Sequence, residues 1–278
     1  MNIIGVGGAG CSLAAMFQEY PQYTAYFVDT ENPGNHKNFL KVENQKSHED
    51  YEENYRKLNL KKIKGEATVI LSGTGEISGI ILKLLEQIKH LNPKVLYIKP
   101  DLSTCDKLTK QRERVVFGVL QEYARSNLLS GLFVFSNPLI EDVLENISLT
   151  SYWKDVNNVV CTTYNMLTVF ENTEPLLNSL SQQTTTSKII APGVVSFKDF
   201  SEKMFYELER PRLKKYFFGI SEKTLNEKKN LLQDIRSYVK NKTSENCTAC
   251  FAIYATSYED DYVYTLHYAS MSQEQNIT

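Results

Sequence analysis

The segments IIGVGGAGCS (positions 3–12) and VILSGTGEISG (69–79) each run from an apolar stretch through a glycine-rich turn into a helical pattern. Strand, glycine turn and helix in that order build a strand-end loop. Its backbone comes close to a ligand, and the helix N-terminus offers free N–H groups and a positive dipole. Gly5, Gly7 and Gly10 match G-x-G-x-x-G, and Asp29 closes the second predicted strand, where an acid takes ribose hydroxyls. The first turn therefore predicts phosphate binding without choosing the nucleotide. A second such turn asks for a fold that closes more than one loop around a ligand.

The flanking pattern alternates. NIIGV, TAYFVDT, VILSG, KVLYIKP and LSGLFVFSNP read as strands. Ser12 to about Tyr20, SGIILKLLEQIKHL and RVVFGVLQEYARSN read as helices. Alternation of this kind predicts a doubly wound parallel sheet with ligands at the carboxyl ends of its strands. Between the two glycine turns, the polar, glycine-free KVENQKSHEDYEENYRKLNLKK reads as a solvated helix or loop.

From Trp153 the pattern changes. WKDVNNVVCTTYNMLTVF reads as a long helix with Val156, Val160, Thr163, Tyr164 and Leu167 on one face. The polar ENTEPLLNSLSQQTTTSK reads as an inserted loop. A helix is expected from Lys198 to about Glu209, a strand at KKYFFGIS and a charged helix over 222–240. CTACFAIYATSY and DYVYTLHYAS read as a final hairpin joined by an acidic turn at Glu259–Asp261. The expected fold is α/β: a Rossmann-like, doubly wound parallel sheet joined by a long central helix to a smaller α+β domain. The expected divisions are a nucleotide-binding domain at 1–152, central helix and inserted loop at 153–189, an α+β domain at 190–270 and a frayed tail at 271–278.

A formal net charge of −2 gives no electrostatic reason to expect nucleic acid or an anionic membrane as partner. No run of about 18 apolar residues predicts a membrane span. The opening MNIIGVGGAG lacks a basic leader and argues against a signal peptide, so a cytoplasmic location is expected. Cys11, Cys105, Cys161, Cys247 and Cys250 then read as reduced thiols, with the C-x-x-C of 247–250 as buried strand cysteines. The scattered His36, His48, His90 and His267 suggest no metal site. The sequons at Asn146, Asn241, Asn246 and Asn276 matter only to a secreted chain.

Several stretches together resemble the tubulin/FtsZ superfamily, FtsZ more than tubulin, over roughly positions 1–170. GVGGAGCSLAAMF is similar to its first glycine loop and helix, FVDTEN to the strand end that meets ribose and phosphates, and VILSGTGEISGIILKLLEQI to its signature loop. YIKP resembles the strand ending in Lys-Pro. From Arg114 to Asn137 the spacing fits an arginine, an amphipathic helix and a strand ending in Asn. WKDVNNVV resembles the start of the central helix, where an aromatic stacks on guanine and an amide or acid four residues on meets the base edge. Trp153 and Asn157 have that spacing, which puts both on one helical face. The resemblance implies GTP or GDP, with or without Mg2+. It implies contacts from Gly7, Gly8, Gly10, Cys11, Ser12, Asp29, Thr30, Gly73, Gly75, Ser78, Gly79, Arg114, Asn137, Trp153 and Asn157. It also implies head-to-tail self-assembly, or entry into a larger protein assembly.

The departures are as informative. Glu76 and Ile77 stand where the family has Thr and Gly. An acid about 4 Å from a phosphate costs on the order of a few kcal/mol at surface-like screening. The glycine-rich loop for the terminal phosphate is replaced by SHEDYEENYRK, and Lys110 stands where an acid precedes the arginine. In the place of N-x-D-x-x-D, which reaches the next subunit's nucleotide, stand Val194, Ser196 and Asp199. Asp199 is the single remaining candidate for a catalytic acid. These losses predict weak or absent hydrolysis, or a site that binds no nucleotide and survives as structure. The chain ends soon after the last predicted strand, so no adaptor-binding tail is expected. Small divergent members occur in phages and other mobile elements, and such an origin would suit this chain. Two readings stay open beside this one: an NAD-dependent Rossmann oxidoreductase, favoured by the first loop and Asp29, and an adenylating enzyme of the ubiquitin-activating type.

Overall fold

The computed structural model describes residues 1–144, 148–178, 180 and 186–272. The sequons at Asn146 and Asn276, most of the expected tail and the middle of the expected inserted loop lie outside the described residues. The chain is α/β and divides into two compact units, Met1–Cys161 and Thr162–Thr278.

The first unit holds strands β1 (Asn2–Val6), β2 (Thr24–Asp29), β3 (Phe39–Lys41), β4 (Ala67–Leu71), β5 (Lys94–Lys99) and β6 (Gly131–Ser136). Its helices are α1 (Gly7–Met16), α2 (His48–Glu53), α3 (Ile81–Ile88), α4 (Lys107–Arg125), α5 (Asn137–Leu144) and the first half of α6 (Tyr152–Glu171). Every strand pair is parallel, in the order β3-β2-β1-β4-β5-β6. β1 and β4 are buried at all positions, as their unbroken apolar runs require of strands covered on both faces. The chain winds one way from β1 to β2 and the other way from β1 to β4. That reversal places both glycine turns at the switch point, at the carboxyl ends of adjacent strands.

Here the sequence reading holds in outline and fails in detail. β3 and α5 are not among the expected elements. α4 starts at Lys107, well before Arg114, because the Asp106 side chain caps it by accepting from the Thr109 N–H at 2.7 Å. The segment expected to be solvated is anchored instead. Ser47 caps α2, and Tyr51, Leu60 and Ile63 are buried.

The second unit holds the rest of α6, then β7 (Ile189–Val195), β8 (Glu202–Met204), β9 (Leu213–Ser221), α7 (Glu222–Glu227), α8 (Leu231–Asn241), β10 (Thr248–Thr256) and β11 (Tyr262–Ala269). Strand order is β10-β9-β11-β7-β8, with β10 and β9 parallel and the other pairs antiparallel. The long central helix forms as expected, and Val156, Val160, Thr163, Tyr164 and Leu167 are all buried.

Three expectations for this unit are overturned. There is no helix from Lys198 to Glu209. Ser196, Asp199 and Ser201 close a turn on themselves: the Ser201 N–H and hydroxyl both donate to Asp199 Oδ1, at 3.1 and 2.8 Å. Such local side-chain bonds compete with helix formation. Phe200 adopts φ +58 inside this turn, and β8 follows it. The charged stretch 222–240 is two helices, broken between Glu227 and Leu231. The last two strands form no hairpin, because β9 lies between β10 and β11. Tyr216, Phe217 and Phe218 of β9 are fully buried and claim the central place. Asp261, expected as a turn residue, ties the entry to β11 to the end of β9. It accepts from Ser221 N–H at 2.8 Å and from the Thr224 hydroxyl at 2.7 Å.

A half-buried carboxylate fastens β8 to this sheet. Glu202 accepts from Tyr216 Oη at 3.2 Å, His267 Nε2 at 2.9 Å and Lys242 Nζ at 2.5 Å. Burial alone would raise its pKa, but the bonds from His267 and Lys242 outweigh it and hold the group at about 2. Burial lowers the pKa of His267 against the opposing pull of Glu202, and Lys242 supplies a fixed counter-charge to the carboxylate. All five cysteines are free thiols. Among the described residues no helix is long and apolar enough to cross a membrane.

Candidate functional site

The glycines of the first turn have different jobs. A Cβ on Gly5 would lie 2.4 Å from the Gly10 carbonyl oxygen, and one on Gly10 would lie 2.3 Å from that of Ile70. These two let α1 pack onto β1 and β4. Gly7 takes φ +68 at the head of α1, a conformation that glycine adopts without strain. Gly8 is exposed, with nothing within 4 Å of where a Cβ would sit, and Ser12 is exposed too. The first turn of α1 carries no acidic residue, and no side chain caps it. Gly8 and Ala9 are exposed at the strand end, whereas Gly7 and Gly10 are buried, so the uncapped helix start is open over Gly8 and Ala9, where an anion could approach.

The Cys11 thiol is turned inward: it donates to the Gly5 carbonyl at 3.4 Å and lies 3.8 Å from that of Val28. Burial first, and the Asp29 charge second, push its pKa up to about 12, so it stays protonated. Asp29 ends β2, and its carboxylate accepts from the Thr30 N–H at 2.8 Å. Both residues are half-buried beside the first turn.

The second turn is folded on itself. A 3-10 turn spans Glu76–Ile80 ahead of α3. The Ser78 hydroxyl is buried and donates inward to the carbonyls of Gly75 at 2.6 Å and Gly73 at 3.3 Å. Glu76 pairs with Arg112 of α4 at 3.4 Å, and Arg112 Nη1 donates to the Thr74 carbonyl at 2.7 Å. Gly73 lets Tyr97 and α4 approach, and Gly79 lets α2 rest on the turn: a Cβ there would lie 2.1 Å from the His48 carbonyl oxygen. Gly75 is exposed. Ile77 reaches back to the first turn. Its Cγ2 lies 2.8 Å from where a Cβ on Gly7 would sit. The two glycine turns therefore meet, through an apolar methyl and not through a shared set of donors.

The remaining predicted residues are distributed around these turns. Arg114 is exposed on α4, and the arginine that reaches the second turn is Arg112. Asn137 is buried at the end of β6 and head of α5, with its side-chain carbonyl unpartnered. Trp153 is 65% exposed on α6, and Asn157 sits one helical turn on, half-buried. Tyr152 braces the indole edge-on at 4.8 Å and donates its hydroxyl to Glu141 of α5. Asp199 lies in the second unit, exposed and occupied by Ser201. Hydrogen bonds from Ser196 and Ser201 hold its pKa at about 2.

Sequence reasoning missed Arg112, Glu113 and Lys99. Glu113 is fully buried, accepting from Lys99 Nζ at 2.9 Å and Tyr97 Oη at 3.0 Å. A signal was present: Glu113 precedes Val116 and Phe117 by one helical turn and shares the apolar face of α4. An acid on such a face needs a buried partner.

No family sequence profile matches the chain, and no curated protein matches it. Solved structures do. FtsZ of M. jannaschii superposes with a TM-score of 0.70 at 11% identity, covering 96% of this chain and 87% of that one. TubZ of Bacillus thuringiensis serovar israelensis, in GDP-form protofilaments, gives 0.71 at 15% identity over 98% and 87%. A TubZ of type III plasmid segregation gives 0.65 at 15% identity over 98% and 88%. The fold is that of FtsZ and TubZ.

Proposed function

We propose that this chain is an FtsZ/TubZ-like assembling protein that binds GTP or GDP weakly and hydrolyses GTP poorly or not at all. The observation that carries the reading is the first turn: a left-handed Gly7, an open Gly8 and an uncapped, acid-free helix start at the switch point. A phosphate chain fits there. Asp29 stands at the next strand end for ribose, and Trp153 with Asn157 offers a stacking plane and an amide for a purine. Mg2+ would accompany the phosphates.

Weakness follows from the second turn. Its hydroxyl is spent on its own backbone, its acid is held by Arg112, and Ile77 sets a methyl against Gly7. Impaired hydrolysis follows from the turn around Asp199, where the acid accepts from Ser201 and Val194 and Ser196 offer no second carboxylate to polarise water. Head-to-tail assembly is supported by the fold's likeness to proteins solved as filaments. A plasmid- or phage-borne filament is the role that fits, since another structural neighbour is a TubZ of type III plasmid segregation.

The test is calorimetric titration of the purified protein with GTP and GDP, with NAD as control. Saturable guanine-nucleotide binding that Trp153→Ala with Asn157→Ala weakens at least tenfold is the expected result. NAD binding without GTP binding would overturn the proposal in favour of a Rossmann oxidoreductase.

A further inference from the structure

Residues 56–64, RKLNLKKIK, carry Arg56, Lys57, Lys61, Lys62 and Lys64 and no acid. In a chain of net charge −2, this leaves the remainder at −7. All five cations are exposed, whereas Leu60 and Ile63 are buried and anchor the backbone beneath them. The segment is irregular yet clamped. Gln87 of α3 donates to the Leu58 carbonyl at 2.6 Å and accepts from the Leu58 N–H at 3.2 Å and the Tyr55 hydroxyl at 2.6 Å. Asn2 donates to the Lys64 carbonyl at 2.8 Å. Holding five like charges in one place opposes folding through self-repulsion. A mobile tail would relieve that repulsion, and this segment is not free to do so.

Beside it lies the opposite charge. α2 presents Glu49, Asp50, Glu52 and Glu53, and Glu43 is exposed just before it. The two blocks are continuous. A cavity of about 320 Å³ has Glu43 and Tyr51 on its lining with Arg56 and Lys57, and an open groove continues from Lys57 past Lys61 and Lys64. An acidic block directly abutting a basic one repels a polyanion as readily as it attracts one. The same pair is complementary to itself when turned end for end. In a two-fold contact the acid of each copy meets the base of the other, which is the condition for an isologous interface.

We infer that this edge of the first unit is a self-association surface, on which a second copy of the chain docks with 43–53 against 56–64 in both directions. The contact is electrostatic and rim-like, so its strength depends on salt: the Debye length is about 10 Å at 0.1 M and about 3 Å at 1 M. It needs no nucleotide and stands apart from the function proposed above.

Sedimentation velocity without nucleotide, at about 50 mM and about 500 mM salt, tests it. The wild type is expected to associate at low salt and to weaken at least tenfold at high salt. Lys57→Glu/Lys61→Glu/Lys64→Glu should abolish association, as should Glu43→Lys/Glu49→Lys/Glu53→Lys. Every changed side chain is exposed, and circular dichroism checks each fold. An equimolar mixture of the two variants, one net-acidic at both blocks and the other net-basic at both, should associate again. A wild type that stays monomeric, association indifferent to salt, or folded variants that fail to restore it on mixing would each overturn the inference. Tight binding of wild type to duplex DNA or anionic vesicles, lost in the first variant while self-association persists, would assign the cations to a polyanion instead.

Discussion

The two glycine turns sit at neighbouring strand ends, with similar composition and opposite outcomes. In the first, the glycines needed for packing (Gly5, Gly10) are separate from the left-handed Gly7 and the exposed Gly8, so the helix start stays open at Gly8. In the second, packing takes nearly everything. Gly73 admits Tyr97, Gly79 admits α2, Ser78 bonds its own turn and Glu76 is held by Arg112. A glycine-rich turn binds an anion only if its donors are not already used. The motif in the sequence records the turn; the use of its donors is decided by α2 and α4, which pack on one turn and not the other.

The largest effect expected is on stability, and it separates the packing glycines from the exposed Gly8. Gly10→Ala puts a methyl 2.3 Å from a backbone oxygen of β4, which no rotamer change relieves. It should destabilise the first unit by about 3 kcal/mol, a fall of roughly 6–12 °C in Tm. Gly8→Ala meets nothing and should leave Tm within about 2 °C. Thermal unfolding of both variants settles the division of labour. Equal losses would mean that the first turn is as closely packed as the second.

A smaller effect is expected on ligand affinity. If Ile77 limits access to Gly7, Ile77→Gly should tighten GDP binding about tenfold, about 1.4 kcal/mol. Titration of the variant against wild type reads this directly. Unchanged affinity would mean that the second turn moves aside at no cost, and the contrast between the turns would then be one of packing alone.

How much of this was legible depends on whether a feature is local. Strands buried on both faces announce themselves as apolar runs, so β1, β4, β5 and β6 were readable, as was α6 from its buried stripe. The G-x-G-x-x-G pattern was readable because it is local chemistry. The pairing of β10 and β11 was not. Turn-like residues at 259–261 suggest a hairpin, and the strand that intervenes, β9, lies about forty residues upstream. The helix expected over 198–209 failed because the Asp199 carboxylate, held by the Ser196 and Ser201 hydroxyls, offered the Ser201 N–H a closer partner. Glu76 was readable as an anomaly but not as an ion pair, since Arg112 approaches from another helix. The same applies to Arg114 and Arg112: spacing chose the first, and the geometry of α4 brings the second to the turn.

The smallest effect is one of pH, and it falls on one turn only. His48 begins α2, whose backbone rests on Gly79. Burial lowers its pKa; Glu49, Glu52 and Glu76 pull the other way, and Arg112 reinforces the lowering. A depressed histidine contributes stability above its unfolded value of about 6.5 and loses it as pH falls through the folded value, because the opened form takes up the proton more readily. Acidification should therefore loosen α2 from the second turn. Hydrogen exchange, corrected for intrinsic rates, should rise a few-fold at 48–53 and 72–79 between about pH 7.5 and about pH 5.5. Residues 5–12 should not change, because α2 and its histidine bear on Gly79 and not on the head of α1. His48→Gln should remove the difference. If the two turns loosen together, they are one cooperative unit, and the closed state of the second turn is then set by the whole sheet edge rather than by α2.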